Sequence, residues 1–215
     1  RVWGGGIYES KEFYDACDRF GIMVWQDFAF ACARYPENLK WFCESVREEA
    51  RQNVRRLRNH PSLVLWCGNN ENQWGYHDWW GKPAVWGEQI YHRVLPDVCR
   101  KLDPQRPYWP GSPYGGDHPN AHGEGDQHLW DVWFQWQPAR RYRNQNARFV
   151  SEFGMQAPPT LETIHECVPA SQRWMQSPVM SLHNKCELGT ERVYRYLAEE
   201  FRVPREFEDT VYLMQ

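Results

Sequence analysis

Long hydrophobic runs are missing from this sequence. None of its 215 residues lies in an apolar stretch approaching the roughly 20 residues that a membrane-crossing helix needs, so no membrane partner is expected. The opening "RVWGGGIYES" lacks the basic, apolar and small-residue order of a signal peptide, and a soluble, cytoplasmic protein is the expectation. Charge of neither sign dominates. Lys and Arg number 25 against 28 Asp and Glu, a net of -3, which argues against a polyanionic partner and leaves no global case for nucleic acid. The seven cysteines (Cys17, Cys32, Cys43, Cys67, Cys99, Cys167 and Cys186) are odd in number and contain no CxxC pair, so they read as reduced core thiols. The glycines of "WGGGIYES" have neither GxGxxG nor GxxxxGK[ST] spacing, which removes the usual phosphate cradles. No GxSxG is present and no Cys sits beside a His at a strand end, so Ser or Cys nucleophile chemistry has little support.

Aromatic residues are abundant instead: 13 Trp, 11 Tyr and 10 Phe, several in polar, Gly- and Pro-rich stretches. Aromatic platforms outside a core suit a ligand with flat apolar faces. Helices and strands alternate along the chain. "SKEFYDACDRFG" predicts a helix capped by Ser10, with Phe13, Cys17 and Phe20 on one face and a stop at Gly21. "IMVWQDFAF" reads as a strand covered on both faces. Leu39, Phe42, Val46, Ala50, Val54 and Leu57 share one face of a long helix within 37–60, closed by Pro61. "SLVLWC" is a second buried strand. After a Trp-rich loop, "EQIYHRVLPDVCRKLDP" predicts a helix with Pro96 inside it. "RPYWPGSP" and "ARFVSEFG" predict further strands, and "TLETIHEC" and "ERVYRYLAEEF" further helices. Such alternation implies βαβ units and a parallel α/β sheet, either doubly wound or a (β/α) barrel. Without a nucleotide fingerprint the barrel is preferred, as a single domain over residues 1–215.

In a barrel, reacting groups sit where strands end, at the carboxyl face. Glu71 in "WCGNNEN" and Glu152 in "FVSEFGMQ" meet that condition and are far enough apart in sequence to come from different strands. Two carboxylates in a pocket lined by Trp and amides fit glycosidic cleavage, with one acid to protonate the leaving oxygen and one carboxylate to attack or to activate water. Asn69, Asn70 and Asn72 both donate and accept, so they could bind sugar hydroxyls and orient the acid without adding charge.

The blocks "RVWGGGIYE", "WQDFAFACARYP", "NVRRLRNHPSLVLWCGNNEN" and "FVSEFGMQ" resemble, in order and over nearly the whole chain, the catalytic (β/α)8 TIM barrel of β-mannosidases in glycoside hydrolase family 2. The resemblance implies a retaining hydrolase that releases terminal β-D-mannose from non-reducing ends and needs no metal or cofactor. It assigns Glu71 as acid/base, Glu152 as nucleophile, Asn70 to the sugar 2-hydroxyl and Arg1 to the nucleophile carboxylate. Trp3, Asp27 and Trp79 fall near sugar-lining positions, and His128 and Trp133 fall on the side of the sixth barrel strand. The blocks run from the end of the second strand into the eighth helix, so about strands two to seven are expected, lacking strand one and strand eight. The implied partners are a β-mannoside and the flanking domains of a longer multidomain chain, a sugar-binding-like sandwich and an immunoglobulin-like domain among them. Two alternatives stand beside this reading. One is another family 2 specificity (exo-β-glucosaminidase, β-galactosidase or β-glucuronidase), against which "CGNNEN" argues. The other is an inactive carbohydrate-binding fragment of a truncated barrel.

Plainer readings attach to several of these features. The Trp cluster of "NQWGYHDWWG" could simply seal the barrel top. His118, His122 and His128 with Asp117, Glu124 and Asp126 match no tight metal-ligand spacing and read as loop polarity. The basic run "RQNVRRLRNH" reads as a solvated helix face.

Overall fold

The computed structural model describes residues 1–215. Its elements in chain order are α1 (Lys11–Phe20), β1 (Val24–Asp27), α2 (Lys40–Leu57), β2 (Leu63–Cys67), α3 (Asn72–Trp74), α4 (Leu95–Leu102), β3 (Tyr108–Trp109), β4 (Gln127–Leu129), α5 (Asp131–Phe134), β5 (Val150–Phe153), α6 (Leu161–Cys167), α7 (Pro178–His183), α8 (Gly189–Glu200) and α9 (Phe207–Met214). The chain divides into two compact units, Arg1–His128 with Asn146–Ser151, and Leu129–Gln145 with Glu152–Gln215. β4 and β5 pair as a two-stranded sheet. No helix is long and apolar enough to cross a membrane.

The first unit carries the parallel sheet that strand–helix alternation implies. β1 pairs with β2 and β2 with β3, both in parallel, in the order β1-β2-β3. A parallel bridge from Val2 to Gln26 places the first residues beside β1. α2 lies between β1 and β2 in the chain and turns Val46, Ala50, Val54 and Leu57 inward, the face that its 3.6-residue periodicity marks. These side chains join Leu63, Trp66, Ile90, Leu95 and Val98 in one core. Coverage of β2 is less complete than expected, because Val64 is exposed.

Three local details depart from the sequence reading. In α1 the inward side chains are Tyr14 and Cys17, while Phe13 and Phe20 face solvent. The buried amide of Gln26 needs a donor, and the Tyr14 hydroxyl supplies it at 2.5 Å. Ser10 is extended but gives α1 no side-chain cap; the stop at Gly21 is as expected, in the left-handed region at φ 68°, with the Ile22 amide donating to the Cys17 carbonyl. The helix around Pro96 comes in two parts. A π-turn over Ile90–Val94 delivers the chain to α4, so Pro96, which has no N–H to donate, sits in the first turn of a new helix instead of its middle. Of the cysteines, Cys17, Cys67 and Cys99 are core thiols, and burial pushes the Cys99 thiol up to about 12; Cys32 and Cys167 are exposed.

The second unit is largely helical. Thr160 caps α6 and Ser177 caps α7, each hydroxyl accepting from the amide three residues on, and Pro178 takes the first helical position of α7. Ile164, Val168, Met180, Leu197, Val211 and Met214 form its main core, and Val132, Trp133 and Tyr196 a smaller one.

Candidate active site

The run "CGNNEN" begins where β2 ends. The Gly68 amide donates to the Trp109 carbonyl at 2.8 Å, and a Cβ at this position would collide with the Pro110 carbonyl and the Tyr108 hydroxyl, so only glycine lets the loop after β3 come this close. Parallel bridges from Asn70 to Ala31 on one side and to Ser112 on the other continue the sheet beyond its strands. Glu71 follows, its amide donating to the Ser112 carbonyl at 2.7 Å, with a left-handed backbone at φ 62° and ψ 8°. A non-glycine residue held there costs on the order of 1–3 kcal/mol and persists where its surroundings over-determine it. The turn sends the chain into α3 and leaves the Glu71 side chain at the carboxyl ends of the parallel strands.

The three amides divide their labour in a way the sequence did not reveal. Asn69 donates to the Pro110 carbonyl at 2.9 Å and accepts from the Asn72 amide at 2.9 Å. Asn72 donates to the Tyr91 hydroxyl and accepts from the Ala33 amide at 3.3 Å. Burial pushes the Tyr91 hydroxyl far above its ordinary value, which keeps it neutral as a partner for Asn72. Both amides therefore build the loop. Asn70 alone turns to the charged cluster, its Oδ1 accepting from Arg1 Nη2 at 2.8 Å.

That cluster is dense and buried. Asp27, whose side chain has no exposed surface, accepts from Arg1 Nη2 at 2.8 Å, Arg1 Nε at 3.3 Å, the Gly4 amide at 3.0 Å and Trp25 Nε1 at 2.8 Å. A buried carboxylate is tolerated when an opposite charge and several donors meet it, and Asp27 has both. Arg1 also lies over the Trp25 ring, which stacks on Phe149. Glu71, 9% exposed, places Oε1 2.7 Å from His128 Nδ1 and receives the Cys32 thiol on Oε2 at 3.3 Å. His128 Nε2 lies 2.9 Å from Ser112 Oγ and 3.4 Å from Arg1 Nη1. The first unit thus gathers Arg1, Asp27, Asn70, Glu71 and His128 in one polar site.

The aromatic candidates fall into two groups. Trp3 and Trp79 are about half exposed, at 48% and 47%. Trp79 rests against Trp74 with ring centroids 5.4 Å apart, and the Trp74 ring lies edge-on to His128. Within the Trp-rich stretch, read above as a loop, α3 runs into a π-turn over Gly75–Trp79; a Cβ on Gly75 would lie 2.6 Å from the Trp80 ring. Trp133, by contrast, is core of the second unit, 3% exposed, stacked on Tyr196 and covered by the Arg192 guanidinium. Glu152, on β5, accepts from Trp130 Nε1 at 3.1 Å within that unit. Of the polar loop, His118 pairs with Asp78, and Asp126 is buried.

A family model described as "Glycosyl hydrolases family 2, TIM barrel domain" matches residues 8–139, more than half of the chain. The chain belongs to glycoside hydrolase family 2. Its fold is accordingly part of a TIM barrel. Among family 2 proteins, the chain is similar over its whole length to a β-mannosidase B of Thermothelomyces thermophilus, at 44% identity, and to a β-mannosidase B of Neosartorya fischeri, at 41%. The structure of a β-D-mannosidase from Dictyoglomus thermophilum superposes with a TM-score of 0.93 at 54% identity, again over the whole chain. The chain spans 27% of the length of each of these proteins, so other parts accompany this family 2 segment in its relatives.

Several residues of this family 2 site were not singled out from sequence. Cys32, Trp25, Trp74, Ser112 and Ser151 carry no local motif; Trp25 meets Asp27 from two residues away on β1, while contacts between distant segments bring Cys32 to Glu71, Trp74 and Ser112 to His128, and Ser151 to Asp126. One signal was available: "PGSP" follows a strand, and a small polar side chain at the carboxyl end of a barrel strand is placed to support a site.

Proposed function

We propose that the protein carrying this chain is a retaining, exo-acting β-mannosidase in which Glu71 is the acid/base and Glu152 the nucleophile. The observation that carries the reading is Glu71 itself: a buried carboxylate on a left-handed turn at the carboxyl end of a parallel strand, beside Asn70, Arg1 and Asp27. The similarity to proteins named β-mannosidase supports the specificity. In the first step Glu71 gives a proton to the glycosidic oxygen while a Glu152 oxygen bonds to the anomeric carbon. The bond to the leaving group breaks and a mannosyl ester forms. In the second, Glu71 takes a proton from water as that water opens the ester, which restores both carboxyl groups. Asn70 takes the sugar 2-hydroxyl, with its amide oriented by Arg1; Nδ2 gives one N–H to Cys32 Sγ at 3.5 Å and keeps the second to donate to the sugar. Trp3 and Trp79 offer exposed faces on which the C–H surface of a pyranose can stack. The chain then corresponds to about strands two to seven of the eight-stranded barrel, and the flanking parts of the protein complete it.

The test is made on the full-length protein. With aryl glycosides of one leaving group, kcat/KM for the β-mannoside is expected to exceed that for the β-glucoside, β-galactoside and β-glucuronide. Glu71→Gln is expected to lose about 10²–10⁴-fold on a leaving group that needs protonation and far less on dinitrophenolate. A preference for another sugar overturns the specificity. A loss equal for both leaving groups overturns the role of Glu71.

A further inference from the structure

Behind His128, on the side away from Glu71, lies a buried carboxylate that the proposed reaction does not use. Asp126 is 3% exposed and is met by four donors. Oδ1 accepts from Trp109 Nε1 at 2.9 Å and from the Tyr114 amide at 3.1 Å; Oδ2 accepts from Ser112 Oγ at 2.6 Å and Ser151 Oγ at 2.5 Å. A carboxylate has about four acceptor sites, so Asp126 is fully occupied as an anion. Ser112, which has no exposed surface, has one hydroxyl proton, and its short bond to Asp126 uses it. The Ser112 oxygen can then only accept from His128 Nε2 at 2.9 Å. The proton on Nε2 is therefore imposed from outside the ring, and the 3.4 Å approach of Arg1 Nη1 to that nitrogen is the contact that yields.

We propose that Asp126, acting through Ser112, is a positioning residue that locks a proton on His128 Nε2 and so leaves Nδ1 as the atom sharing a proton with Glu71. The proposal rests on the reading of Glu71 as acid/base. With Nε2 protonated, one proton lies between Nδ1 and Oε1 across 2.7 Å, either on a carboxylic acid facing a neutral ring or on an imidazolium facing a carboxylate. Losing that proton would set a lone pair of Nδ1 against a carboxylate oxygen. The lock on Nε2 therefore keeps the shared proton between Nδ1 and Oε1, beside the carboxyl that leaving-group protonation needs. In the first unit the charged and titratable groups facing the pair are Arg1 at Nε2, Cys32 at Oε2 and Asp126 behind Ser112, with Asp27 anchoring Arg1; Glu152 follows Ser151 directly in β5.

The test is the pH dependence of kcat/KM in the full-length protein, on a substrate whose leaving group requires protonation. Ser112→Ala frees His128 to move its proton to Nδ1, where it satisfies the Glu71 carboxylate while Nε2 accepts from Arg1. The alkaline limb is expected to fall to lower pH by about one unit. Asp126→Asn tests the same point without a cavity. The donors at Oδ1 hold the amide oxygen there, Nδ2 faces Ser112, and the Ser112 proton turns toward Nε2, so the limb falls again. Ser112→Thr keeps the hydroxyl and is expected to keep the parent profile. Rates lowered uniformly with the limb unmoved in both Ser112→Ala and Asp126→Asn, or a limb moved upward, would overturn the proposal and reduce the network to packing. Glu71→Gln, run in parallel, separates the two levels. If its alkaline limb disappears while that of Ser112→Ala stays, the inference alone is wrong; if it keeps the limb, the reading of Glu71 fails and takes the inference with it.

Discussion

Glu37 shows how a single carboxylate fixes the segment that follows the Trp-rich stretch. It is 8% exposed, and its side chain accepts from three backbone amides: Trp86 and Gly87 at 3.2 Å each on Oε1, and Gln89 on Oε2. These amides open the helical run through the π-turn and α4, where first-turn N–H groups have no intrahelical acceptor. Glu37→Ala leaves all three without a protein partner. One buried donor left unsatisfied costs about 1–3 kcal/mol, and because three neighbours relax together a total of about 3–4 kcal/mol is reasonable. At 1.36 kcal/mol per factor of ten, amide protection at 86, 87 and 89 should drop by roughly 100- to 1,000-fold, read by hydrogen exchange with mass spectrometry. Glu37→Gln keeps one acceptor oxygen and should lose about tenfold. Peptides from the buried face of α2 serve as the internal control. Protection changed by less than about threefold in Glu37→Ala would refute the claim that this carboxylate holds the segment.

Other predictions follow from single contacts. Gly68→Ala forces a Cβ against the Pro110 carbonyl, a backbone atom that cannot rotate away; a stability loss of about 2 kcal/mol in urea unfolding and a larger fall in activity are expected, and wild-type behaviour would contradict the close approach. For Asp18, burial raises the carboxyl, but hydrogen bonds from Ser62 and His60 outweigh it and bring it to about 2, from an ordinary 3.8. Because the folded value lies below the unfolded one, its contribution is present above about pH 4 and is lost as pH falls toward 2. Asp18→Asn should therefore cost about 1 kcal/mol at pH 7, allowing for solvent screening, and progressively less as unfolding is measured at lower pH; a cost independent of pH would contradict the pairing.

What the sequence disclosed depended on the range of the signal. The inward face of α2 was legible because burial repeats every three to four residues, and β2 because an apolar run ends abruptly at amides. The position of Glu71 at a strand end was legible for the same reason. In α1 the periodicity pointed to Phe13 and Phe20, yet Tyr14 faces inward because its hydroxyl satisfies Gln26, a polar need that hydrophobic patterning does not register. The roles of Asn69 and Asn72 were hidden because an amide in sequence looks the same whether its partner is a sugar or the backbone. Trp133 illustrates the matching ambiguity for aromatics: among polar residues it looked available to a ligand, and it is core. The side-chain route from Asp126 through Ser112 and His128 to the Glu71 carboxylate was hidden because it joins three separate segments of the chain.

The central claim is that Glu71 and Glu152 carry a retaining mannosidase reaction, and covalent trapping tests it most directly. The full-length protein is treated with a 2-deoxy-2-fluoro-mannosyl fluoride, intact mass is measured, and the adduct is mapped by peptide sequencing. The account predicts one fluorosugar per chain, attached to Glu152 and accumulating because the fluorine slows opening of the ester. A label on any other residue, or no label while the gluco-configured reagent reacts, would contradict it.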